Sequence, residues 1–220
     1  MGSLISIDKQ ITNNNINKEQ RTLQSLGGDM RTMMDFIVIC LLFISCNGDM
    51  PNNGQTILID KKYVLPYPIG KAYVCTQGFN MSPSHTGTFK YSVDFGMPIG
   101  TLVTAARSGR VIYILESYSD DDQMDGHENV VIIMHEDTTY ARYVHLTRNG
   151  ALVQINQMVV PGDTVGLSGS SGTKGGAHLH FDVTTTFGGR SDQTIPFDFK
   201  NTKSHPLGLE RGVVYEALSY

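Results

Sequence analysis

His178 and His180 are separated by one residue and follow a glycine-rich run. In this segment apolar residues alternate with other types. The alternation predicts a strand that begins at or just before His178, and residues two apart in a strand share one face. The two imidazoles therefore lie side by side, while Leu179, Phe181 and Val183 face the core. Neutral imidazole is the commonest metal ligand among protein side chains, so the pair could serve one metal site. Two surface histidines at a strand end would give the same pattern.

A metal site needs further ligands, and His85 and Asp94 are candidates in the first half of the chain. Asp94 lies between Val93 and Phe95 in a predicted strand, where a carboxylate is costly to bury unless a metal or another partner satisfies it. Each residue also has an ordinary explanation when taken alone, as a loop histidine and as a strand-end aspartate.

His145 is a further histidine at the end of a strand. It lies in the predicted strand 139–146, where alternation places it on the face of Ala141 and Tyr143. His145 therefore ends a row of side chains that point in one direction.

The remaining histidines, the acidic run and the glycine-rich run are assigned no catalytic or binding role. Three histidines match no site pattern and are expected to be structural or solvated: His127, His135 and His205. The acidic run 120–122 lacks the spaced carboxylates and closing glutamate of a calcium loop, so a solvated loop is favoured over a calcium site. The glycine-rich run 166–176 lacks the G-K-[ST] ending of a phosphate loop, and we expect tight turns that lead into the His178 strand.

The composition favours an all-β domain with many turns. The chain has 23 glycines and no tryptophan, and its β-branched and aromatic runs lie between turn-forming clusters. The predicted strands cover residues 57–59, 63–65, 72–76, 91–95, 100–106, 110–115, 129–134 and 139–146, with a hairpin through Ser108 and Gly109. The net charge is −4 and no basic stripe occurs, which argues against a nucleic-acid partner.

The first 56 residues carry the features of an exported protein. Residues 1–33 are largely polar and contain an asparagine-rich stretch, and we expect them to be disordered or to precede the true start. The apolar stretch 36–44 is too short to span a bilayer as a helix, which needs about 20 residues. It suits the core of a signal peptide over residues 34–45.

Cys46 directly follows this apolar core, and the sequence Leu-Phe-Ile-Ser-Cys resembles a bacterial lipoprotein cleavage box. The resemblance implies cleavage before Cys46, lipid attachment to its sulfur and a tether over residues 46–56, followed by a domain over 57–220. We therefore expect a lipid-anchored membrane protein of the bacterial cell envelope. A plain signal peptide, which would give a secreted or periplasmic protein, and a signal anchor are the alternatives. Cys75 would remain as a small core residue with no disulfide partner.

Several segments together resemble the signatures of zinc metallopeptidases of the lysostaphin and LytM type, peptidase family M23. The resemblance covers about residues 62–200 and includes the longer of the family's spacings between His85 and Asp94. The matching segments occur in the family's order: S-H-x-G-x3-Y-S-V-D-F from Ser84, Y-V-H-L from Tyr143, G-D-x-V-G-x-S-G from Gly162 and H-L-H-F-D-V from His178.

The resemblance implies a single antiparallel β domain of the lysostaphin-like, duplicated-hybrid-motif class, with a groove that contains zinc. His85, Asp94 and His180 would bind Zn2+, and His145 and His178 would flank the open coordination position. Two histidines and one carboxylate leave a fourth position for water, as catalytic zinc sites do. Zinc lowers the pKa of such a water to roughly 7 and polarises a carbonyl. One of His145 and His178 could take the water's proton, and the pair could stabilise the developing oxyanion.

The implied function is that of a zinc-dependent endopeptidase, acting as a monomer, which hydrolyses peptide bonds in the stem or cross-link peptides of peptidoglycan. A non-catalytic envelope-binding or hydrolase-activating module with the same fold is the alternative, although relatives that lost catalysis usually lack one of the five site positions. A carrier-type β domain is a third hypothesis, because the family's fold resembles phosphotransfer domains that use two histidines.

Overall fold

The computed structural model describes residues 63–188 and 192–220, which form two sheets. The strands are β1 (Ala72–Gln77), β2 (Ser92–Gly96), β3 (Leu102–Thr104), β4 (Gly109–Leu115), β5 (Val130–Met134), β6 (Tyr140–Val144), β7 (Leu146–Ala151), β8 (Met158–Val159), β9 (Thr164–Ser168), β10 (His178–Thr184) and β11 (Val214–Glu216). The larger sheet has the order β11-β1-β2-β10-β6-β5-β4-β8, and the smaller has the order β3-β9-β7.

All pairings between these strands are antiparallel. Within the two described ranges there is no α-helix, and the one helical element is a short 3-10 turn over Gly87–Phe89. The predicted all-β fold class is confirmed.

Strand β10 begins at His178, as predicted, and lies between β2 and β6 near the middle of the larger sheet. In the register of these strands His180 lies opposite Asp94 on β2 and opposite Val144 on β6. Alternate residues of β10 are completely buried in the core: Leu179, Phe181 and Val183. Burial of each such side chain contributes roughly 1.5–3 kcal/mol. One face of β10 is therefore held by the core, and the other face carries the histidines.

Aromatic side chains pack behind β10. The ring of Phe181 meets Tyr143 and Phe197 with centroids 5.2 Å apart in each case, and both contacts are edge-to-face. Phe197 and Phe199 come from the segment that precedes β11, so this segment closes the core. Cys75 on β1 is completely buried, as expected for a core residue, and burial raises the pKa of its thiol to about 12.

The hairpin predicted through Ser108 and Gly109 is wrong. Strand β3 pairs with β9 in the smaller sheet, whereas β4 pairs with β5 and β8 in the larger one. The connecting residues bond to other parts of the chain: Ala105 N donates to Asp163 O at 2.8 Å, and Ala106 N donates to the Tyr143 hydroxyl at 2.8 Å. The chain therefore passes from one sheet to the other between β3 and β4.

The strand predicted over 63–65 is also wrong. Tyr63 makes a single parallel bridge to Phe199, and the Leu65 amide bonds to the side-chain oxygen of Asn201 at 2.7 Å instead of a neighbouring strand. The Asn201 side chain thus accepts the backbone hydrogen bond that a neighbouring strand would accept in a sheet.

The N-terminal predictions lie outside the described residues. They comprise the disordered or upstream segment, the signal peptide, the lipidated Cys46, the tether and the strand over 57–59, and they stay predictions. Within residues 63–188 and 192–220, no helix is long and apolar enough to cross a bilayer.

His135 gives the stability of the fold a dependence on pH. Its side chain is buried, Nδ1 donates to Ser108 O at 2.7 Å, and burial lowers its pKa to about 4. The pKa of His135 is near 6.5 in the unfolded chain and about 4 in the folded chain. The unfolded chain therefore binds a proton first, and the free energy of unfolding falls as the pH is lowered between these two values.

We predict that His135→Gln weakens this pH dependence, because the amide can keep the bond to Ser108 but does not titrate. On moving from pH 7.5 to pH 5, His135 should account for a loss of about 2 kcal/mol in the free energy of unfolding, which the variant does not show. Denaturant unfolding at both pH values measures the difference. An equal loss in the wild-type protein and the variant would contradict the prediction.

Candidate metal centre

Four histidines and one aspartate meet on the face of the larger sheet that points away from the core. Asp94 Oδ1 lies 2.9 Å from His180 Nδ1, 3.2 Å from His85 Nε2 and 3.8 Å from His178 Nε2. The ring of His145 lies 4.7 Å from that of His178 between centroids. The structure thus brings together all five residues that the sequence selected as candidates.

Three of the five residues are arranged to hold a metal ion. His85, Asp94 and His180 each offer one ligand atom, and these atoms lie within 4.8 Å of one another. In the part of the chain that the structure describes, no other group of three or more such residues does so. The predicted ligand set and this group are the same residues.

Two strands and one loop position these three side chains. The antiparallel register places His180 on β10 directly opposite Asp94 on β2. His85 comes from the loop between β1 and β2, where its amide donates to Met81 O at 3.0 Å and its Nδ1 donates to Gly78 O at 3.0 Å. The loop therefore fixes the ring of His85 from behind.

The geometry of His85 suits a cation. Because Nδ1 carries the hydrogen that goes to Gly78, Nε2 presents its lone pair. This atom is buried without a hydrogen-bond partner, although it lies 3.2 Å from the carboxylate oxygen of Asp94. Two buried acceptors that face each other are unfavourable, and a cation shared by both satisfies them. The residues present therefore fit a zinc ion, which prefers histidine nitrogen and carboxylate oxygen.

The site also contains ionised carboxylates, which favour a cation. Burial would raise the pKa of Asp94, but the hydrogen bond from His180 and the positive charge of that ring hold it well below its usual range. Burial would lower the pKa of His180, but hydrogen bonds to Asp182 and Asp94 and the charges of both carboxylates raise it to about 9. The group is thus built around ionised carboxylates.

His145 reaches the site through an unusual backbone conformation. Alternation predicted that it shares a face with Ala141 and Tyr143, and this prediction is wrong: those residues are in the core, whereas His145 lines the groove. The cause is its left-handed backbone, with φ at +62°, which interrupts the strand between β6 and β7. Such a conformation in a non-glycine residue costs of order 1–3 kcal/mol and is typical of functional sites.

The glycine-rich run positions His145 and His178. Nδ1 of His145 donates to Ser171 O at 2.7 Å, and Nδ1 of His178 donates to Gly176 O at 2.8 Å. Gly172, with φ at +68°, lies where a Cβ would press on the chain at His127 and Glu128. Turns form here, as the glycine pattern predicted, and they deliver the carbonyl groups that orient the two rings.

Sequence reasoning missed two residues of the site. Asp182 Oδ2 lies 3.0 Å from His180 Nε2, and Arg142 makes two bonds to the same carboxylate, at 2.6 and 2.7 Å. A signal for Asp182 was present, because it follows His180 by two residues on the same strand face.

The histidines assigned no role lie elsewhere. His127 stacks on Tyr118, with centroids 4.2 Å apart, and its Nδ1 lies 2.8 Å from Asp122. His205 contacts Asp198. In the acidic run, Asp120 accepts hydrogen bonds from Thr147 and Ser170, so this loop is tied to the rest of the domain rather than simply solvated.

An open groove of about 1230 Å³ is lined by four of the five residues, Asp94, His145, His178 and His180, whereas the side chain of His85 is completely buried. Its floor is the site face of the larger sheet, and the glycine-rich turn and the loop before β5 form part of its walls. One arm is lined by apolar side chains: Tyr113, Leu115, Val130, Ile132 and Phe187.

Comparison with known proteins agrees with this architecture. Residues 88–193 match the model of peptidase family M23. The chain is 34% identical over 123 residues to peptidoglycan DD-endopeptidase ShyB of Vibrio cholerae, a match that covers 53% of this chain and 26% of ShyB. It is 32% identical over 121 residues to peptidoglycan DD-endopeptidase ShyA of the same organism, again covering 53% and 26%. The chain thus spans about a quarter of the length of these relatives.

Among solved structures, a zinc-containing peptidase from Vibrio cholerae is 30% identical, with a TM-score of 0.42 and coverage of 56% of this chain and 37% of that one.

Over residues 88–193 the chain is thus similar to peptidase family M23, as its motifs predicted. Asp94, His145, His178 and His180 lie inside the matched range, and His85 lies just before it. The placement of His85 therefore depends on the geometry rather than on the family match.

We predict that His85→Ala lowers zinc affinity, because the substitution would remove one of the three candidate ligands. The loss should exceed the roughly 10- to 100-fold that follows when a residue hydrogen-bonded to a ligand is removed. Competition against a chromophoric chelator on the full chain measures the affinity. His127→Ala serves as the matched control and should bind zinc like the wild-type protein. Equal affinity in His85→Ala and the wild-type protein would remove His85 from the ligand set.

Proposed function

We propose that this protein is a zinc-dependent endopeptidase that hydrolyses peptide bonds in the stem or cross-link peptides of peptidoglycan. The observation that carries the proposal is the group of three potential metal donors with two more histidines beside it. The names of the relatives ShyB and ShyA support peptidoglycan as the substrate.

His85, Asp94 and His180 would hold the zinc ion. A zinc ion held by two histidines and one carboxylate acts as a Lewis acid and lowers the pKa of a coordinated water to roughly 7. His85 and His180 would bind through Nε2 and Nδ1 respectively, since these are the atoms that face Asp94. The opposite nitrogen of each ring is fixed by Gly78 O or by Asp182.

His145 and His178 would move protons beside this centre. Each donates its Nδ1 hydrogen to a backbone carbonyl, which leaves Nε2 as the basic atom. Burial and the charges of His178 and His180 lower the pKa of His145 to about 3, so its ring is neutral at physiological pH. A neutral ring in this position can accept a proton from the attacking water and pass it to the leaving amine. A protonated ring can donate a hydrogen bond to the developing oxyanion.

The groove and the N-terminal segment fit this substrate. The groove is open, which admits an extended peptide as part of a larger polymer. We extend the proposal to the location of the protein: export through the signal peptide over 34–45 and lipid attachment at Cys46 would place the domain in the envelope beside peptidoglycan.

The proposal is tested by digestion of purified peptidoglycan with the full chain, with zinc and with a chelator, followed by mass spectrometry of the released fragments. We expect zinc-dependent cleavage of peptide bonds. His145→Ala should keep its zinc and lose activity by about 10²- to 10⁴-fold, the usual contribution of a general acid or base.

His127→Ala is the control for this experiment and should retain full activity. Bound zinc without cleavage by the wild-type protein would favour a binding or hydrolase-activating module. Failure of the wild-type chain to bind zinc would contradict the proposed function.

A further inference from the structure

A buried ion pair lies directly behind His180. Asp182 is completely buried on β10, and Arg142, also buried, lies opposite it on β6 in the register of the two strands. Arg142 Nε donates to Oδ1 at 2.6 Å and Nη2 donates to Oδ2 at 2.7 Å. A guanidinium that binds both oxygens fixes the plane of the carboxylate as well as its position. Arg142 is itself held over the ring of Phe89, 5.7 Å from its centroid.

The fixed carboxylate is aimed at His180. Asp182 Oδ2, which accepts from Arg142, also lies 3.0 Å from His180 Nε2. On the other side of the ring, Nδ1 lies 2.9 Å from Asp94 Oδ1. When His180 is neutral and donates its Nε2–H to Asp182, the lone pair of Nδ1 points to Asp94.

His180 differs in its hydrogen-bond partner from the other three histidines of the site. Their Nδ1 hydrogens go to the backbone carbonyls of Gly78, Ser171 and Gly176. A carboxylate partner makes a ligating imidazole a stronger donor and fixes its tautomer and ring orientation. His180 is therefore the ligand whose binding strength the chain sets most directly.

Stability alone does not explain a buried ion pair at this position. Desolvation of two charges offsets much of their attraction, so well-packed apolar residues of similar volume are often as stabilising or more so. The pair is placed where the ring of His180 needs a charged acceptor.

We propose that Asp182, held in place by Arg142, is a positioning residue that fixes the tautomer and orientation of His180 and thereby sets the zinc affinity of the site. The inference rests on the proposed zinc-dependent function. It concerns metal binding, so it can be tested without an activity assay.

The test is Asp182→Asn in the full chain, with zinc affinity measured by competition against a chromophoric chelator. The asparagine amide can present N–H to His180 Nε2, which favours the tautomer that carries hydrogen on Nδ1. We expect zinc affinity to fall by about 10- to 100-fold. The visible spectrum of the Co2+-loaded protein should shift in the variant, because the ring no longer holds its orientation.

Further variants separate positioning from folding. Arg142→Lys keeps the positive charge but loses the two-bond contact, and it should weaken zinc binding less than Asp182→Asn does. If Asp182→Asn alone fails to fold by near-UV circular dichroism, the double variant Asp182→Asn with Arg142→Gln also removes the buried charge of Arg142 and is measured in its place. Asp198→Asn alters a histidine–carboxylate contact outside the groove and should leave zinc affinity unchanged.

The outcomes distinguish the two proposals. A folded Asp182 variant with wild-type zinc affinity and an unchanged Co2+ spectrum would overturn the positioning role while leaving the zinc-dependent function in place. A wild-type chain that binds no zinc would overturn the proposed function itself, and the inference with it.

Discussion

The arrangement depends on one constraint, the antiparallel pairing of β10 with β2 on one side and β6 on the other. The core buries one face of β10 through three apolar side chains, which fixes the register, since a slip by one residue would turn the histidines inward. With the register fixed, His180 must face Asp94, and Asp182 must face Arg142. The positions of two proposed ligands and of the ion pair behind them therefore follow from strand pairing alone.

Loops and turns orient the histidine rings that strand pairing alone does not fix. His85, His145 and His178 each use backbone carbonyls of turns to hold Nδ1, so the side chains are oriented by segments that depend on tight backbone geometry. The left-handed backbone of His145 is the clearest local cost, and it is offset by the rest of the domain. The rigid sheet and the strained turns together bring five polar side chains into one partly buried group.

Much of this could be predicted from the sequence, because strand alternation determines which side a residue faces. It gave the two faces of β10. It failed for His145, where a single positive φ reversed the alternation, and for the Ser108–Gly109 hairpin, because local turn signals do not reveal which sheet a strand joins. The role of Arg142 depends on a partner 40 residues away, which sequence spacing does not indicate.

We propose that His85, Asp94 and His180 bind zinc while His145 and His178 lie beside the ion without binding it. X-ray absorption spectroscopy of the zinc-loaded full chain can test this division of roles. We predict one zinc ion per chain with two imidazoles at about 2.0–2.1 Å and further oxygen ligands from carboxylate and water. Coordination by three or four imidazoles, or by sulfur, would contradict the division of roles among these residues.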